Sequence, residues 1–256
     1  MAVIRLLLAY DGTDFHGWAR QPGLRTVQGA IEGVLERLLG EVPPLSVAGR
    51  TDAGVHAEGQ VASFPAPERL DPGRVQRALN AALAPEVVVL RADRAPEGFD
   101  ARRSARAREY LYRLDTSPLP HPFTARFVWH RAGRLSVGRM RRAAGLLVGE
   151  HDFASFCRAP KVPASTVRRL ERLAVSVRGE RVEVRARANA FLHQMVRSLV
   201  GTLVAVGEGR MEPEAMPAVL EARSRAAAGP VAPPHGLSLV RVWYGRAGRE
   251  TPSVVG

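Results

Sequence analysis

Apolar and polar positions alternate along this chain in blocks that can be read as elements. Val3–Tyr10 is an apolar run ending at Asp11 and Gly12, and it reads as a first buried strand rather than a leader peptide. Val27, Ala30, Ile31, Val34, Leu35, Leu38 and Leu39 then recur at helical spacing. Thr26 is placed to cap that helix and Gly40 to close it. Leu45–Ala48 and Gln60–Phe64 read as short strands. Asp71-Pro72 opens a second helix, because Asp caps and Pro suits the first turn; Val75, Ala78, Leu79, Ala82 and Leu83 line its apolar face. Val87–Arg91 follows as a strand. Strand, helix, strand, strand, helix, strand is the order of a split βαβ, ferredoxin-like unit.

The second half reads similarly. Arg106–Asp115 is a strand, and Ser136 is expected to cap a helix carrying Val137, Met140, Ala143, Ala144, Leu147 and Val148. Val167–Val177 and Arg181–Ala188 form a hairpin across Gly179-Glu180. Phe191–Val206 reads as a strongly apolar helix, Glu214–Arg223 as a further helix, and Leu239–Tyr244 as a last strand. Leu119–Phe123 and Arg158–Ala164 are loops. The expected fold is α+β: two ferredoxin- or RRM-like βαββαβ halves side by side, forming a largely antiparallel central sheet with helices on one face. The expected division is 1–104 with the Asp-bearing loop, 105–248, and a flexible tail at 249–256.

Composition narrows the function. The 256 residues are 46% hydrophobic, enough for a sizeable core, yet no apolar run reaches membrane-spanning length. Cys157 is the only cysteine, which excludes an internal disulfide and a multi-cysteine zinc site and suits a reducing cytoplasm. Thirty-seven basic against 25 acidic side chains leave +12, and Lys161 is the only lysine. Arginine forks match phosphates, and the charge is spread along the chain, so an anionic partner such as nucleic acid is expected.

The segment Gly49-Arg50-Thr51-Asp52-Ala53-Gly54-Val55-His56-Ala57 gathers a cation, a hydroxyl, a carboxylate and an imidazole between two strands. Its glycines let the backbone turn tightly and approach a ligand. The pattern leaves two readings: a β-turn in which Asp52 bonds its own backbone, or a carboxylate presented to a substrate. It lacks the Gly-Lys-Ser/Thr ending of a phosphate-binding P-loop. Arg197 also has two readings. It lies among Phe191, Leu192, Met195, Val196, Leu199 and Val200, and either forms a solvated stripe with Gln194, Ser198 and Gly201 or serves a site. Tyr110 and Tyr112 flank Leu111 and share one strand face.

This segment resembles the catalytic motif of the tRNA pseudouridine synthase A family. Tyr10–Trp18, Thr26-Val27-Gln28, Tyr110-Leu111-Tyr112, Gly149–Phe156, Asn189–Arg197 and Gly236–Leu239 resemble further blocks of that family in order, over residues 3 to 244. The resemblance implies an isomerase that detaches uracil from ribose and reattaches it through C5. Breaking the C1′–N1 bond leaves the sugar electron-poor, and a carboxylate can stabilise that charge, attack, or take a ring proton.

By the same resemblance Asp52 is the essential carboxylate and Arg197 its cationic partner. Tyr110 stacks on the base or helps remove the C5 proton. Arg50 contacts phosphate or its own loop, Thr51 meets the substrate, Tyr112 either meets it or is core, and His56 and His193 either face the RNA or are structural. Leu237 or Leu239 forms a pocket wall. No cofactor or metal is implied. The implied partner is tRNA, gripped at the elbow and anticodon arm by a homodimer, with uridines at about positions 38 to 40 flipped into the site and shape doing most of the recognition. Ala19 and Glu109 depart from the family pattern, the second at a position that commonly carries a basic residue before the first tyrosine. Two rival readings are a non-catalytic RNA-binding protein with RRM-like halves and a glycosidase using Asp52 with Glu58.

Overall fold

The computed structural model describes residues 2–159 and 164–245. Contacts gather the chain into two units, Met1–Arg108 with Ser238–Gly256, and Glu109–Leu237. Part of the expected loop at 158–164 and the tail from 249 lie outside the described residues.

The first unit contains β1 (Ala2–Tyr10), α1 (Val27–Leu39), β2 (Ser46–Val47), β3 (His56–Ala66), α2 (Pro72–Leu83) and β4 (Val87–Ala95). β1 lies between β4 and β3, antiparallel to both. Its alternate residues Ile4, Leu6, Leu8 and Tyr10 are all buried, as a half-covered strand requires. Both expected N-caps form: Thr26 accepts from the Gly29 N–H, and Asp71 from Gly73 and Arg74. Gly40 ends α1 at φ 82°, a left-handed conformation that costs glycine least.

β3 begins at His56, not at the expected Gln60. Its first residues look polar, but the strand is buried on both faces, so the apolar alternation that marks a half-exposed strand is missing. One edge of β3 is shared. β2 pairs antiparallel at Ser46↔Ser63 and Val47↔Ala62. The last strand, β10 (Leu237–Tyr244), pairs parallel at Ser238↔His56 and Leu239↔Ala57. β10 from Ser238 onward falls in the first unit, whereas the expected division at 104/105 placed it with the second half. Gly59 permits the approach, since a Cβ there would lie 2.3 Å from the Val240 carbonyl oxygen.

The second unit begins within β5 (Ala105–Asp115) and carries β6 (Trp129–His130), α3 (Val137–Leu147), β7 (Gly149–Asp152), β8 (Val167–Arg178), β9 (Arg181–Ala188), α4 (Met195–Gly207) and α5 (Met216–Glu221). Its strands are ordered β5-β9-β8-β7, with β6 parallel beside β5. β8 and β9 form the expected hairpin, turning at Gly179 with φ 58°. Ser136 precedes α3 but makes no side-chain cap; Met140 N–H bonds its carbonyl instead. The chain is thus a mixed α/β protein built largely on antiparallel strands, as expected at that level.

α4 corrects the sequence reading. It starts at Met195, not Phe191, because Gln194 adopts φ 63° and blocks helix continuation toward the N-terminus. Phe191, Leu192 and His193 therefore lie on a loop. Twelve of the thirteen residues in α4 are buried, and Arg197 alone keeps intermediate exposure. The solvated stripe does not exist, since Ser198 is fully enclosed and Gly201 is buried.

Candidate active site

Asp52 lies in the connection from β2 to β3 and is half-buried, with Arg50 exposed and Thr51 and His56 buried beside it. The loop is fixed through its backbone. The Val55 N–H donates to the Asp52 carbonyl at 3.1 Å, and Gly54 takes φ 75°. The Trp18 N–H donates to the Thr51 carbonyl at 3.0 Å, and the Gly54 N–H to Phe15 at 3.3 Å. Segment 11–18 thus lies against the Asp52 loop. Gly12 and Gly17 permit this contact: a Cβ on Gly12 would stand 2.1 Å from the Val55 carbonyl oxygen, and one on Gly17 (φ 87°) 2.7 Å from that of Thr51.

Three buried polar side chains hold the loop from beneath. Gln60 Nε2 donates to the Gly49 carbonyl at 2.7 Å and to the Tyr10 hydroxyl at 3.2 Å. The Tyr10 hydroxyl is 2.8 Å from Thr51 Oγ1. Arg108 donates from Nε and Nη2 to the Ala48 carbonyl at 2.9 and 2.8 Å. Burial pushes the Tyr10 phenol up to about 12, against the lowering effect of its bonds to Thr51 and Gln60, so it remains a neutral O–H. His56 Nδ1 accepts from the Gly12 N–H at 2.9 Å, tying β3 to the other loop. Leu239 is enclosed in this unit, beside Ala57.

The second unit holds Tyr110, Tyr112, His193, Arg197 and Leu237. Tyr110 and Tyr112 are both buried on β5. The Tyr110 ring meets Phe191 edge-on at 5.1 Å. The Tyr112 hydroxyl donates to the Pro233 carbonyl at 2.8 Å, and burial raises its pKa while the Arg197 charge opposes that rise. Arg197 Nε donates to the Ala232 carbonyl at 2.8 Å. His193 is exposed, and its carbonyl accepts from the Arg158 N–H. Leu237 is buried. Among the described residues, no three His, Cys, Asp or Glu side chains converge as metal ligands, and no helix is long and apolar enough to cross a membrane.

Gln60 and Arg108 were not singled out from the sequence, and Tyr10 and Phe191 entered only as members of motif blocks. A glutamine inside an apolar strand was the available signal for Gln60, because a buried amide requires partners.

The sequence profile of a family described as tRNA pseudouridine synthase matches residues 7–102 and 143–245, on either side of β5 and including both the Asp52 loop and α4. The chain belongs to the tRNA pseudouridine synthase family. Curated relatives named tRNA pseudouridine synthase A agree over nearly their whole lengths. The one from Frankia casuarinae is 51% identical over 94% of this chain and 89% of its own. That from Allorhizobium ampelinum is 44% identical over 97% of both chains. That from Bacillus pumilus is 42% identical over 94% and 98%. Membership in the tRNA pseudouridine synthase family makes this chain an isomerase and disposes of the glycosidase and pure-binder readings at family level.

Proposed function

We propose that this protein converts uridine to pseudouridine in the anticodon arm of tRNA, at positions 38 to 40, with Asp52 as the catalytic carboxylate. The observation that carries the reading is the Asp52 loop itself. Backbone and buried polar bonds fix it on both sides of the carboxylate, while the side chain stays half-exposed. Fixing a charged group before the substrate arrives removes reorganisation from the reaction.

The reaction breaks N1–C1′, forms C5–C1′, and moves the C5 proton while N1 gains one, so no atom is lost. Asp52 acts on the electron-poor sugar and base during that exchange. Tyr110 is assigned to the flipped base, by stacking or by assisting C5 proton removal, whereas Tyr112, expected to meet the substrate or to be core, is fully enclosed with its hydroxyl on the Pro233 carbonyl and is read as core. Arg197 supplies guanidinium charge, and its singular exposure on an otherwise buried helix supports a task other than packing. Arg50, Thr51, His56 and His193 are assigned to substrate contacts, and Leu237 or Leu239 to the pocket wall.

The excess of arginine supports phosphate recognition along the tRNA arm and elbow. A homodimer working in the cytoplasm, without cofactor, completes the reading. The strand order β4-β1-β3, with β2 against β3, supports a ferredoxin-like reading of segment 1–104, and 105–248 is read as its counterpart in chain order. Tritium release from C5-labelled uridine in tRNA tests the reaction class. Release at one equivalent per target uridine is expected; binding without release would leave only an RNA-binding protein.

A further inference from the structure

We infer that Tyr10 and Gln60 are positioning residues for catalysis, setting the Asp52 carboxylate through a buried relay from Gln60 to the Tyr10 hydroxyl to Thr51 Oγ1. The inference rests on the reading of Asp52 as the catalytic carboxylate.

The relay is enclosed: Gln60 is 0%, Tyr10 5% and Thr51 7% exposed. Its members come from three places in the chain. Tyr10 ends β1, Gln60 lies in β3, and Thr51 immediately precedes Asp52. One amide nitrogen serves two purposes, since Gln60 Nε2 donates both to Gly49 O and to the Tyr10 oxygen. The loop is therefore gripped at Gly49 and again at Thr51, leaving little freedom for the next residue.

The donors can be ordered. Gln60 donates into the phenolic oxygen, so the Tyr10 proton is free to go to Thr51 Oγ1, 2.8 Å away. A phenol pushed up to about 12 keeps that proton throughout the physiological range. The Gln60 Oε1 accepts from the Val61 N–H, which fixes which end of the amide faces Tyr10. The Tyr10 ring is separately anchored, 6.0 Å from Trp18. Removing the hydroxyl alone therefore leaves the packing in place.

A displacement of about 1 Å in a reacting group can slow a reaction by ~100-fold. Loss of the Tyr10–Thr51 bond should accordingly appear in the chemical step rather than in tRNA affinity.

The test uses single-turnover tritium release from C5-labelled uridine in tRNA, with filter binding for affinity and thermal unfolding to normalise rates to folded protein. Tyr10→Phe should slow the single-turnover rate ~10- to 100-fold, with affinity unchanged within about twofold, and Thr51→Val, which also removes a hydroxyl assigned to substrate contact, should slow it by at least as much. The double variant should be no slower than the slower single, because both remove one bond. Thr51→Ser, which restores a hydroxyl, should recover most of the Thr51→Val loss. A Tyr10→Phe rate within about twofold of wild type, or losses that multiply in the double variant, would overturn the relay. An Asp52→Asn variant run alongside separates the two claims. If it is inactive while Tyr10→Phe is fully active, only the positioning role fails. If it retains turnover, the reading of Asp52 fails first.

Discussion

Arg197 and Ala232 exchange hydrogen bonds: Arg197 Nε donates to the Ala232 carbonyl at 2.8 Å, and the Ala232 N–H donates to the Arg197 carbonyl at 3.1 Å. The first turn of α4 and the segment entering β10 are thereby locked together at one residue pair. The lock holds the guanidinium stem while the rest of its helix is enclosed. Arg197→Ala should cost about 1–3 kcal/mol in urea unfolding, by stranding the Ala232 carbonyl, and should reduce pseudouridine formation by at least ~100-fold. Arg197→Lys keeps charge but loses the fork, and should fall between the two. Full activity in Arg197→Ala would remove this arginine from the reaction.

Gly201 lies one turn further along α4, where a Cβ would stand 1.7 Å from the Pro230 carbonyl oxygen. That neighbour is backbone and cannot swing aside. Gly201→Ala should destabilise the protein by at least about 1–3 kcal/mol and disturb the Arg197–Ala232 pair. Equilibrium urea unfolding reads it directly. A variant as stable as wild type would mean that segment 230–232 moves freely.

Both features show what sequence patterning can reach. Caps at Thr26 and Asp71 were legible because they depend on residues two or three positions away. The start of α4 was not, because Phe191 and Leu192 continue the apolar pattern and only the left-handed backbone at Gln194 interrupts it. β6 and β7 were missed because two and four residues carry no periodicity. Of the proposed site, the Asp52 loop, Tyr110 and Arg197 stand in motifs that the sequence displays. The bonds from Tyr10, Gln60 and Arg108 were not legible, because they join residues 11 to 60 positions apart that meet only once the strands pair.

Asp152 gives a pH prediction. The Thr166 hydroxyl holds its carboxyl below the usual range, with burial opposing and the Ala154 N–H and Arg223 guanidinium assisting. A depressed folded-state pKa stabilises the fold above the unfolded value, and that contribution is lost as pH falls through the folded one. Wild type should therefore lose stability as pH falls below about 4, and Asp152→Asn should lose less over the same interval. Urea midpoints from pH 7 to pH 3 measure both. Identical slopes would show that Asp152 is not linked to folding.

The +12 charge makes tRNA binding salt-dependent. Each phosphate neutralised contributes roughly 0.7 to 0.9 to the log–log slope, so a surface meeting six phosphates gives a slope of about −5. Filter binding of wild-type protein to tRNA across a salt series measures it. A slope near zero would mean that arginines do not carry the interaction.

Catalysis by the carboxylate at position 52 is tested most directly by chemical mapping of pseudouridine in tRNA incubated with wild type and with Asp52→Asn. Wild type should place pseudouridine in the anticodon arm. Asp52→Asn should bind the same tRNA and slow its conversion by at least ~1000-fold. Pseudouridine formed by Asp52→Asn at a rate within about tenfold of wild type would contradict the account.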